Sequence, residues 1–71
     1  MISALNANRL QTEIMKNGFT LNDISDLLGL TKVLTYRKIT DVKQLTIHEA
    51  IILKEFLELS NEESIDIFLG A

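Results

Sequence analysis

Apolar residues recur along the chain at helical rather than strand spacing, and the turn signals between them fall at intervals suited to short helices. Leu10 and Ile14 stand four apart with Arg9, Gln11 and Glu13 among them, which predicts a helix over about 4–16, and Gly18 supplies a left-handed stop. Thr20 then opens a second helix: its hydroxyl caps the amides ahead while Asp23 reaches back, and Ile24, Leu27 and Leu28 make the buried stripe up to Gly29. Thr31 is the next cap and predicts a helix over 32–39, followed by a polar stretch at 40–44. Thr46 and Glu49 form a capping box that opens a helix through about Leu59, with Ile47, Ala50, Ile51, Leu53 and Leu57 as its expected inner face. Ser60 and Glu63 form a second such box and lead into a last helix that ends before Gly70. The expected fold is all-α, a single five-helix domain covering 1–71.

Composition narrows the chemistry. A chain of 71 residues with 46 % apolar side chains has room for one small core, in which nearly every element must take part. It contains no cysteine and one histidine, His48, so no metal site is expected and a reducing compartment fits. The longest apolar run, Ala50 to Leu53, is far below the roughly 20 residues of a membrane span. The start has no basic flank followed by an apolar segment of the export type. A cytoplasmic location with no membrane partner is therefore expected. No glycine-rich phosphate loop and no nucleophile with an adjacent base is present. Glu55, Glu58, Glu62 and Glu63 read as solvated or dipole-stabilised acids rather than paired catalytic carboxylates, and His48 as a residue of the surface or core edge. The chain is expected to be no enzyme, with no cofactor and no small-molecule substrate.

Charge is divided unevenly. Residues 1–44 carry six cations against four acids, a surplus of +2, whereas residues 45–71 carry Lys54 against six acids, a surplus of −5. The sum of −3 is the opposite of the basic footprint of a protein whose affinity rests on phosphate neutralisation.

The stretch from Thr20 to Ile39 has the layout of a helix-turn-helix: a capped helix, Gly29 in the turn, an apolar residue, then a second capped helix. Gly18-Phe19-Thr20, Asp23-Ile24-Ser25, Leu28-Gly29-Leu30-Thr31 and Tyr36-Arg37-Lys38-Ile39 resemble, in order and spacing, the Cro/C-repressor (XRE-type) regulators of bacteria and their phages. The segments Leu45 to Ala50 and Glu62 to Leu69 resemble the fourth and fifth helices of small phage members, so the likeness covers about 8–69. It implies a second motif helix that lies in the DNA major groove, with Lys32, Val33 and Arg37 at base-reading positions and Tyr36 beside them. Arg37, Lys38 and Lys43 would be candidates for phosphate contacts, or else a solvated cationic face.

The departures from that family point elsewhere. Leu21 stands where the family commonly has a phosphate-holding glutamine, and an apolar and a polar residue are exchanged at Leu34 and Thr35. Either the helix rotates or slips by one residue, or Leu34 is partly exposed while Thr35 is tucked inward with its hydroxyl bonded back to the helix. Leu21, Val33, Leu34 and Tyr36 together give the reading surface an apolar character, edged by Lys32 and Arg37, unless Val33 and Leu34 merely fill a small core. Ile52 is open in the same way, as core or as part of a self-association patch. In size and layout the chain resembles a modulator of repression, or antirepressor, of lactococcal-type temperate phages. That resemblance implies binding to a companion repressor protein in the bacterial cytoplasm. The alternatives are a Cro-like repressor that binds operator DNA itself, and a structural or toxin-neutralising module that shares only the fold.

Overall fold

The computed structural model describes residues 8–69. Among these residues five α-helices follow one another: α1 (Arg9–Lys16), α2 (Leu21–Leu28), α3 (Lys32–Thr40), α4 (Ile47–Phe56) and α5 (Asn61–Phe68). A 3-10 turn, Val42–Gln44, joins α3 to α4, and the described residues contain no strand. None of these helices is long and apolar enough to cross a membrane.

Each helix starts where a side chain can satisfy free backbone amides. Thr20, Thr46 and Ser60 form reciprocal capping boxes with Asp23, Glu49 and Glu63, and Thr31 accepts from the Leu34 N–H at 3.2 Å. Asn8 does the same for α1: it accepts from Gln11 N–H at 2.8 Å while its own N–H donates to Gln11 Oε1 at 3.0 Å. Because Asn8 is extended and caps it, the helix of Leu10 and Ile14 begins at Arg9; the expected start near Ala4 falls on residues outside the described part.

Three helices end in the same way. A residue at the cap or just after it turns left-handed, and the next N–H reaches back five residues: Phe19 to the Ile14 carbonyl, Leu30 to Ser25, and Leu59 to Lys54, at 3.0–3.1 Å. After α1 and α4 the chain then carries an apolar residue, Phe19 and Leu59, back onto the core. Gly18 (φ +76°) and Gly29 (φ +69°) take the left-handed position without steric cost, but after α4 that position is Glu58, with φ +55°. Hence α4 stops at Phe56 and not near Leu59: a helix stop without glycine leaves no mark in the sequence.

One core gathers the inward side chains of all five helices: Leu10, Ile14, Ile24, Ile39, Leu53, Leu57, Leu59 and Ile67 are buried. Phe19, Leu21, Leu27, Leu28 and Val42 pack against it half-buried, and the rings of Phe19 and Phe56 lie 4.5 Å apart. The inner face of α4 differs from the expected one. Leu53 and Leu57 are buried and Ala50 half-buried, but Ile47 is 82 % and Ile51 49 % exposed. Apolar residues surround α4 on every side, so periodicity does not select its buried face. The buried stripe is the one that runs through Leu53, Phe56 and Leu57, and Glu49 at its start pairs with Lys38 of α3. Ile52 is half-buried at the edge of that stripe.

The left-handed residue gives a direct test. Glu58→Gly should raise stability by up to about 1 kcal/mol, since a β-carbon in this conformation is disfavoured and the glycine cost in the unfolded chain offsets only part of the gain. Urea unfolding followed by circular dichroism checks it; a loss of stability would mean that the Glu58 side chain holds the turn.

Candidate interaction face on the third helix

Two residues orient α3. Thr35 is fully buried and Ile39 is 6 % exposed, and their four-residue spacing places both on one line of the helix. Thr35 fits the interior because its hydroxyl donates to the Thr31 carbonyl at 2.8 Å, leaving no polar hydrogen unpaired. Of the two arrangements open from the sequence, the structure adopts this one: α3 keeps its register and Leu34 is partly exposed. The Asn8 amide donates to the Ile39 carbonyl at 2.6 Å and ties the end of α3 to the start of α1.

With Thr35 and Ile39 inward, the opposite side faces solvent. Val33 is 63 %, Leu34 42 % and Tyr36 55 % exposed. Lys32 and Arg37 are exposed beside them, and Lys43 is exposed on the following 3-10 turn. Val33 and Leu34 are therefore not core residues, and α3 presents a small apolar surface with cations at its border.

Two residues expected on this face serve elsewhere. Leu21 is half-buried against the core at the first position of α2, because α2 turns its stripe of Ile24, Leu27 and Leu28 the same way. Lys38 is withdrawn between α3 and α4: its ammonium donates to the Gln44 carbonyl at 3.1 Å and to Glu49 Oε1 at 3.0 Å, and its side chain is only 19 % exposed. A lysine bound twice to its own protein is a clamp for three elements, not a free phosphate contact.

The partner of that clamp is electrostatically tuned. Partial burial acts to raise the Glu49 pKa, but the Thr46 backbone N–H at 2.9 Å, the Lys38 ammonium and the Thr46 hydroxyl together outweigh it and hold the carboxyl below its ordinary value. Glu63 is likewise lowered, first by the Ser60 backbone N–H and then by the Ser60 hydroxyl, with Arg9 and Lys16 adding to the effect. His48 is exposed, and the described residues hold no group of three or more potential metal ligands.

Comparison of the chain with protein-family models, with curated proteins and with solved structures gives no match.

The Glu49 clamp makes stability depend on pH. A carboxyl with a lowered pKa in the folded state contributes stability that is complete above the ordinary value of 4.5 and is lost as pH falls through the lowered one. Glu49→Gln should cost about 1 kcal/mol near neutral pH, and the gap between wild type and variant should close on acidification below that value. Urea titrations at several pH values measure the gap; a gap that persists unchanged in acid would assign the cost to packing and not to charge.

Proposed function

We propose that this chain is a transcription regulator of a phage-type genetic switch that acts as an antirepressor: it binds a companion repressor protein through a helix-turn-helix face formed by α2 and α3. The observation that carries the reading is the exposure of Val33, Leu34 and Tyr36 as neighbours on α3, with Lys32 and Arg37 at the border. Apolar centres with tyrosine and arginine anchors suit protein contacts, whereas base edges are read chiefly by Arg, Lys, Asn and Gln. The charge of −3 supports a protein partner over DNA, because long-range attraction of the whole molecule to a polyanion is weak. The work would be done in the bacterial cytoplasm, with no cofactor and no chemistry on a small molecule.

In mechanism, α3 would lay Val33, Leu34 and Tyr36 against the repressor while Lys32 and Arg37 make polar contacts at the rim. A repressor held in this contact is kept from its operator. Because Thr35 and Ile39 fix the orientation of α3, the apolar side chains are already outward before binding and the contact requires little reordering.

One observation favours a second reading. Lys32, Arg37 and Lys43 are all exposed and make no ion pair among the described residues, so a Cro-like repressor could use Arg37 on a guanine, Lys32 and Lys43 on phosphates, and Val33 or Leu34 on thymine methyls. The withdrawal of Lys38 leaves few cations for that task.

The experiment is a gel shift on the operator of the repressor encoded beside this chain, with each protein alone and with both. The chain should release the repressor from DNA without shifting the operator itself. Val33→Ser with Leu34→Ser should weaken repressor binding by about 30-fold or more, two exposed anchors contributing on the order of 1–2 kcal/mol each. The same variant should keep its helical signal and lie within about 1 kcal/mol of wild-type stability, as substitutions at exposed sites do. A tight shift by the chain alone, falling steeply with salt, would establish direct operator binding instead.

A further inference from the structure

A second apolar surface lies on the other half of the chain. Between α4 and α5 runs a groove of about 360 Å³, lined by Ile47, Ile51 and Lys54 on one wall and by Ile65, Phe68 and Leu69 on the other. Ile47 is 82 %, Ile51 49 %, Ile65 55 % and Leu69 79 % exposed. On each helix the lining residues follow three- and four-residue steps, so each wall is a continuous stripe and the exposed surface is one patch. Such a patch, on the order of a few hundred Å², is of the size that marks an interaction site on a small soluble domain.

The surroundings of the groove select its occupant. Glu55 follows Ile51 by four residues and Glu62 precedes Ile65 by three, which places each beside its stripe, and both are exposed, as is Glu58 in the link. Glu49 and Glu63 are occupied in capping boxes, and Asp66 lies 3.6 Å from Arg9, so Glu55, Glu58 and Glu62 are the acids left to a partner. Against them residues 45–71 offer one cation, Lys54. Groove-to-groove pairing of two copies would bring two such acidic borders together, which opposes that association. A small ligand would find an open trough without converging polar groups. An apolar stripe flanked by lysines or arginines meets both the isoleucine walls and the glutamate border, and α4, about 15 Å long, gives such a stripe some three turns of contact.

We propose that the α4–α5 groove is a docking site for a cationic amphipathic helix of a partner protein, distinct from the α3 face and sharing no residue with it. The apolar side of the incoming helix fills the trough between the isoleucines. Its cations meet Glu55, Glu58 and Glu62. The stem of Lys54 forms part of the trough floor while its ammonium remains in water.

The test uses the full chain and a fluorescent peptide of about 15 residues, with leucines at helical spacing and lysines on both flanks, beside an analogue with glutamates for the lysines. The lysine peptide should bind saturably. Ile51→Ser with Ile65→Ser should weaken it at least about tenfold, as should Glu55→Lys with Glu62→Lys, and the glutamate analogue should bind wild type at least about tenfold more weakly. Circular dichroism of both variants verifies that they fold, which the exposure of all four positions predicts. Val33→Ser with Leu34→Ser should leave peptide binding unchanged, so that failure here and failure of the repressor contact are read separately. Absence of saturable binding overturns the proposal, as does equal binding of the two peptides. Reversible dimerisation of the wild type that the isoleucine variant abolishes also overturns it, in favour of a second copy.

Discussion

A threonine in the middle of α3 sets what the surface of this protein can present. On a helix the direction of one side chain fixes all the others at about 100° per residue, so a fully buried Thr35 leaves Val33, Tyr36 and Arg37 no direction but outward. Threonine can hold that position because its hydroxyl returns to the Thr31 carbonyl one turn back, which hides the polar hydrogen and presents a methyl-sized body to the core. A large apolar residue there would add burial, and Leu34 stands next to it in the sequence. Had the helix turned by one residue to bury Leu34, Thr35 would lie outside and the apolar face would be dismantled. Contacts at the two ends oppose that turn: Asn8 holds the Ile39 carbonyl, and Lys38 is drawn toward Gln44 and Glu49.

The division of charge gains its meaning from the same contacts. Arg9 and Lys16 surround the buried Glu13 at 3.4 Å each, and Lys38 and Glu49 neutralise one another between α3 and α4. Such pairs contribute little net stability where they are exposed, but they remove charges from the outer surface. Around α3 this leaves Lys32, Arg37 and Lys43 outward, and around the α4–α5 groove Glu55, Glu58 and Glu62, while Asp26 and Asp41 are exposed elsewhere in the first half of the chain. One apolar patch therefore has a mainly cationic border and the other an acidic one, a polarity that the net charge of −3 conceals.

Local signals made most of this architecture legible before any coordinates. Capping depends on residues three apart, so Thr20 with Asp23, Thr46 with Glu49 and Ser60 with Glu63 locate three helix starts unaided, and the glycines at 18 and 29 locate two stops. The start of α1 was readable by the same rule, since Asn8 and Gln11 carry the pattern, although helical spacing alone extends the element further back. The end of α4 was not readable, because Glu58 adopts a conformation that its residue type does not advertise. Neither was the orientation of α4, where Ile47, Ile51 and Leu53 are equivalent to any rule of periodicity. The choice among them is made by tertiary packing, which buries Leu53 and places Glu49 beside Lys38, eleven residues earlier. The withdrawal of Lys38 from the expected face belongs to that same contact.

A chain of this size cannot bury every apolar side chain, and exposure by itself therefore proves little. Arrangement discriminates where exposure does not. Met15 is 61 % exposed as an isolated residue near the end of α1, which is the ordinary outcome of a large surface-to-volume ratio. Val33, Leu34 and Tyr36 instead lie together on one helix, and Ile47, Ile51, Ile65 and Leu69 line a single trough built from two. Random leftover exposure would scatter these seven residues among the five helices, whereas they fall into two contiguous groups with borders of opposite charge. Contiguity of this kind carries a cost in solubility, since each patch is a site for unwanted association. On the readings proposed above, each patch would be covered by a partner of its own, since the two borders differ in sign.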